Sequence, residues 1–193
     1  MATYALPNQA RTVQTVALVS YLEDKCYLMI SQGNSYGAGI TIPTDLAVTE
    51  SATISDINNP LFFKKINKAG ADSKMLFVKP DPTGTISIYS QRYTEVLEAN
   101  VFTENVRHIY IEVLIPANNV AISGIVRGAA IVSSLREDDG TVDGIAITDD
   151  VVFAANVNFT STTGNHLVYL ENIEEYNRSA TAGGELFRII LAI

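Results

Sequence analysis

Side chains able to do chemistry are few in this sequence, and they are scattered. It has two histidines, His108 and His166, and one cysteine, Cys26. A zinc site built from such residues needs ligands clustered at short spacings, and these three lie far apart. Each histidine falls in an alternating, strand-like stretch, where a place on a sheet surface is the ordinary outcome. Cys26 has no histidine near it in sequence, and no serine occupies a Gly-x-Ser-x-Gly elbow. A buried structural thiol is therefore expected at Cys26. The acidic stretch Arg136–Gly144, with Asp138, Asp139 and Asp143, invites a calcium reading. Its spacing does not follow the EF-hand order and no glutamate closes it, so a solvated loop is expected. Gly33, Gly37 and Gly39 form a loose glycine loop that lacks the Gly-Lys-Ser/Thr of a phosphate loop and the order of a dinucleotide fingerprint. No catalytic set, no cofactor and no metal are expected.

Composition narrows the class further. The 193 residues carry 13 Lys and Arg against 21 Asp and Glu, a formal net charge of −8. Nucleic-acid grips need a dense basic stripe, whereas here the longest basic run is Lys64-Lys65; no nucleic-acid partner is expected. A lone cysteine excludes an intramolecular disulfide, so a hydrophobic core must hold the fold. The 47% hydrophobic content is enough for one. No apolar run approaches the ~20 residues of a bilayer span, and Met1–Arg11 has no charged segment followed by an apolar one. Neither a membrane partner nor a secretory signal is expected. Nine Tyr and seven Phe, without Trp, supply aromatic surface for a core or for partners.

The elements that must position these residues read as mostly β. Near the N-terminus, Ala10, Val13, Ala17, Ser20 and Tyr21 recur at helical spacing, with Pro7 suited to a first turn. Cys26–Ile30 is a short apolar run that reads as a buried strand. Residues 53–66 read as an irregular helix broken by Asn59-Pro60. Lys74–Val78 and Ile86–Tyr89 are strand candidates, separated by the turn chemistry of Lys79-Pro-Asp-Pro-Thr-Gly84. In Arg107–Ile115, Ile109, Ile111, Val113 and Ile115 alternate with His108, Tyr110, Glu112 and Leu114. Ile125–Leu135, His166–Glu171 and Glu185–Ile193 complete the set, and Gly128, Ala129 and Ala130 mark a place for close packing. The expected fold is mainly β, with α+β as the alternative: one antiparallel β-sandwich-like domain with one or two N-terminal helices. It spans 1–193, with a small subdivision near 80–105.

Several of these blocks carry a resemblance. Thr163-Gly-Asn-His-Leu-Val-Tyr-Leu-Glu-Asn172 runs towards Arg178-Ser-Ala-Thr-Ala-Gly-Gly-Glu-Leu-Phe-Arg-Ile-Ile-Leu-Ala-Ile193. This is similar to the end of the gene-eight-type baseplate wedge proteins of T-even-like, contractile-tailed phages, where a Tyr-x-Glu-Asn strand precedes a loop, an acidic residue and a terminal apolar strand. Asn105–Val113 and Gly124–Leu135 resemble two further strands of that family in the same order. Tyr27–Gly33 with Ile42-Pro-Thr-Asp45 resembles its first strand more weakly. The sequence departs from the family in lacking its large middle insertion and the Trp after the first strand's glycine, where Asn34-Ser35-Tyr36 stands.

The resemblance implies a structural virion protein, not an enzyme. It implies assembly in the host cytoplasm, residence in the tail baseplate, pairing as a homodimer and binding to other wedge or tail proteins within a six-fold assembly. The family has no catalytic residues to carry over. Repeated copies need complementary surfaces, and loops and strand edges are the natural suppliers. Candidate contacts are Tyr36 in the glycine loop, Asp138 and Asp139 in the acidic loop, and Glu174, Tyr176 and Arg178. The alternatives are a β-sandwich module binding a receptor or glycan at the tail tip, which would need a groove of exposed aromatics, and an enzyme whose carboxylates converge from distant positions.

Overall fold

A computed structural model of the chain describes residues 7–23, 25–33, 59–115, 117, 123–134, 136–137, 145–146, 151–152, 166–179 and 181–193. Among the described residues the fold is mainly β, with one N-terminal helix, two five-stranded antiparallel sheets, one a half-barrel and the other a near-closed barrel, and a short two-stranded sheet. The elements are α1 (Asn8–Leu22), β1 (Cys26–Ser31), β2 (Pro60–Ile66), β3 (Ser73–Pro80), β4 (Ile86–Ile88), β5 (Gln91–Glu95), β6 (His108–Ile115), β7 (Gly124–Ser133), β8 (Arg136–Glu137), β9 (Ile145–Ala146), β10 (Val151–Val152), β11 (His166–Arg178) and β12 (Glu185–Ala192). A 3₁₀ turn, Glu98–Asn100, lies between β5 and β6. The chain forms two compact units: Met1–Asp24, Asn67–Leu114 and Leu186–Ile193 make one, and Lys25–Ile66 with Ile115–Glu185 make the other.

The first unit holds the sheet β12-β6-β3-β5-β4. In β6 the expected alternation is present, with Ile109, Ile111, Val113 and Ile115 at most 1% exposed. The opposite face carries a second, smaller cluster of Val78, Ile88, Tyr93 and Tyr110, with Leu76, Ile86 and Ile190 packed on it. The turn after β3 is built as its residues dictate. Both the backbone N–H and the hydroxyl of Thr83 donate to Asp81 Oδ1, at 2.8 and 2.7 Å, while the Thr94 hydroxyl donates to Oδ2 at 2.7 Å. These bonds favour the ionised form and hold the Asp81 carboxyl at about 2. A Cβ on Gly84 would lie 2.2 Å from the Tyr93 carbonyl oxygen, so only glycine lets this turn lie against β5.

Helix α1 corrects the expected apolar stripe. Thr12, Thr15, Val19 and Leu22 are buried, whereas Val13 is 54% and Tyr21 39% exposed, and Ala17 and Ser20 are also exposed. The threonine hydroxyls explain the difference. Each donates to a carbonyl one turn back, Thr12 to Asn8 O at 3.1 Å and Thr15 to Arg11 O at 2.9 Å. With the hydroxyl satisfied, the side chain buries at little cost. Pro7 stands at the N-cap, one position before the first turn.

The second unit holds the sheet β10-β2-β1-β7-β11. Strand β1 is central and buried at every position, as expected for a continuous apolar run. The segment read as a broken helix is corrected over its described part: Pro60–Ile66 is strand β2, paired antiparallel with β1 from Cys26↔Ile66 to Ile30↔Phe62. Asn59 takes a positive φ of 48° ahead of Pro60, which breaks any helix there, and Phe62, Phe63 and Ile66 bury in the sheet. The close packing expected at Gly128 is present. It pairs with Ser31 on β1, and a Cβ there would lie 2.6 Å from the Ser31 hydroxyl.

Candidate functional site

The expected contact residues that fall among the described ones all lie on β11. This 13-residue strand stands at the end of the described sheet order. Its register against β7 breaks between Leu167 and Tyr169 and again between Asn172 and Tyr176, then resumes as Tyr176↔Val126, Asn177↔Ile125 and Arg178↔Gly124. Tyr176 and Arg178 are two apart on the regular stretch and share a face. Glu174 lies inside the break and is exposed. Tyr36, Asp138 and Asp139, and with them the glycine loop beyond Gly33 and the acidic loop beyond Glu137, lie outside the described residues.

Tyr176 and Arg178 converge on a residue the sequence reading did not single out, Glu185 at the start of β12. Its Oε2 accepts from the Tyr176 hydroxyl at 3.1 Å and from Arg178 Nε at 3.1 Å. Arg178 is 1% exposed. It was expected at an accessible surface on composition, and the structure corrects this: its guanidinium is buried beside a carboxylate. Burial, followed by the Glu185 charge, pushes the Tyr176 phenol above its ordinary range. The signal for Glu185 was the opposite charge a few residues after Arg178, beyond the connection in which the Ala182 N–H donates to Ser179 O at 3.0 Å.

A second polar cluster lies on β6 in the other unit. Glu112 takes the Lys74 ammonium at 2.8 Å and Arg188 Nε at 3.1 Å, and accepts the Tyr110 hydroxyl. Partial burial works against its charge, but the bonds from Lys74, Tyr110 and Arg188 outweigh this and hold its carboxyl below the usual range. It ties β3, β6 and β12 together. Every group in it is engaged, which is the pattern of a cross-strand clamp and not of a poised acid or base.

No family model matches the chain, and no curated protein matches it. The residues themselves therefore have to carry the reading. Cys26 is fully buried, and desolvation pushes its thiol far above the ordinary value, which keeps it neutral and unreactive at physiological pH. His108, half-buried on β6, has its pKa lowered by burial and then by the Arg107 charge, and its ring lies 5.8 Å from that of Tyr93. Among the described residues no three His, Cys, Asp or Glu side chains gather as a metal cage, and no helix is long and apolar enough to cross a membrane.

The unit holding α1 also contains a cleft of about 470 Å³. Met75, Phe77 and Val96 are among its lining residues and are nearly buried. Glu23, Glu95 and Glu98 also line it, as do Lys68 and Leu97. Lys68 Nζ lies 3.1 Å from Glu98 and 3.7 Å from Glu23. These residues come from the end of α1, the β2–β3 connection, β3, the last residue of β5 and the segment after it. Sequence reading passed over them because no single stretch shows the cluster.

Proposed function

We propose that the chain is a non-catalytic structural subunit of a phage contractile-tail baseplate wedge, built to bind copies of itself and neighbouring tail proteins in a six-fold assembly. The observation that carries this reading is the ordered set of sequence blocks that resemble the wedge family, at 105–113, 124–135, 163–172 and 178–193. In the fold these blocks overlap β6, β7, β11 and β12 in turn, which supports reading them as successive strands. Two of the four strands, β11 and β12, stand at the ends of their described sheet orders. Strand edges of this kind need either covering or blunting. In β11 the breaks in register interrupt the ladder, which favours side-chain docking over strand addition. The polar clusters around Glu112 and Glu185 act as internal ties, which suits a part that must hold shape under load.

The test is location. Particles are purified from a lysate and the chain is located by antibody-gold labelling in electron micrographs. Label at the baseplate supports the reading. Label confined to a fibre tip, or abundant protein in infected cells that is missing from particles, overturns it.

A further inference from the structure

We propose that the cleft beside the C-terminal end of α1 is a docking site for an extended segment of a partner protein that carries a lysine or arginine next to an aliphatic residue. The proposal rests on the reading of the chain as a subunit of an assembly, and it names the chemistry of one of its contacts.

Three observations converge on it. The first is charge. The cleft is lined by Glu23, Glu95 and Glu98 against the single cation Lys68 among its lining residues, an excess of two negative charges. The second is the helix end. Glu23 is the C-cap of α1, and no basic residue stands in the last turn. A helix C-terminus already carries partial negative charge and is normally matched by Lys, Arg or His. Placing a carboxylate there, in a cleft lined by two more, sacrifices helix stability for a local negative field, and local rules are broken in this way where a surface has another task. The third is the apolar part. Leu97 lines the cleft and is 67% exposed, while Phe77, also in its lining, is 5% exposed. A cation alone has no use for this apolar wall, whereas a side chain with an apolar neighbour fills both halves.

The same geometry argues against a metal ion. The Lys68 ammonium lies within ion-pair distance of both Glu23 and Glu98, so a divalent ion would meet a like charge at its centre. A guanidinium or ammonium would pair instead with Glu95 and with Glu98 Oε1, the oxygen that Lys68 does not take. A free small amine would leave Leu97 in water, and an extended chain would cover it.

The experiment selects a random peptide library displayed on filamentous phage against the immobilised full chain, and measures the winning peptides by fluorescence anisotropy. This readout does not depend on whether the chain is found in particles, so its failure is distinct from failure of the wedge reading. Enriched peptides should pair Lys or Arg with Leu, Ile, Met or Phe. Their affinity should fall at least ~10-fold in Glu95→Gln/Glu98→Gln and about 10-fold in Leu97→Ser. It should also weaken as salt rises from ~0.05 to ~0.5 M. All three substituted positions are exposed, and an unchanged melting curve for each variant shows that folding is intact. No enrichment, enrichment without basic residues, or binding that both variants leave untouched would each overturn the proposal.

Discussion

At the scale of single residues, burial decides what the few reactive groups do. Cys26 is enclosed between β2 and β7, opposite Ile66 and Ser133. Its thiol should be silent to a water-soluble disulfide reagent in the native protein and react fully once guanidinium unfolds the chain. Rapid reaction of the native protein would show that the thiol is accessible. Glu185 is the shared acceptor of Tyr176 and the buried Arg178. Glu185→Ala should cost about 1–3 kcal/mol, the range for removing the acceptor of buried donors, and more than Tyr176→Phe. Urea denaturation of the two variants measures the order. His108 gives a pH dependence of definite sign. Its folded-state pKa lies below the 6.5 of the free side chain, so the unfolded chain takes up its proton first. Stability is unaffected well above 6.5 and falls as pH drops through that value towards the folded one. The drop in melting temperature between about pH 7.5 and about pH 5.5 should be smaller in His108→Gln than in the wild type.

At the scale of elements, the β4–β5 hairpin shows where local preference and fold disagree. Tyr89 and Ser90 form its two-residue turn, both with positive φ (47° and 67°), and Tyr89 is 77% exposed. Asn-Gly is the usual choice at such a turn, since other residues meet a Cβ penalty in the left-handed region. Tyr89→Asn/Ser90→Gly should therefore raise stability by about 1 kcal/mol, seen as a higher denaturation midpoint with unchanged slope. A loss would show that the contacts of Tyr89 outweigh its strain. The same tension explains which elements were legible in the sequence. Strands β1, β3, β6, β7 and β12 could be read because alternation or a continuous apolar run marks them. Strand β5, with Gln91, Arg92 and Glu95 exposed, could not, because its partners β3 and β4 make it a strand and its own composition does not. Strand β2 was hidden by Asn59-Pro60, because Pro60 reads as a helix breaker and yet is tolerated as the first residue of a strand. In α1 the helix was legible but its buried face was not, because two back-bonded threonines took positions that a hydrophobic pattern assigns to aliphatic residues. Of the polar cluster at Glu185, the sequence singled out Tyr176 and Arg178, though as surface contacts. Glu185 and the Glu23–Glu95–Glu98 group were not singled out, since only the fold brings them together.

At the scale of the whole molecule, the chain has two sheet-based units, each with its own polar cluster, and exposed carboxylates line the cleft of one of them. That arrangement suits a part whose work is to be held by neighbours. The most direct measurement is the copy number of this chain in purified particles, by quantitative mass spectrometry against the tail-tube protein. The expected result is a whole multiple of six copies per particle, retained when the baseplate is isolated. Its absence from particles that carry complete, contractile tails would contradict the central claim.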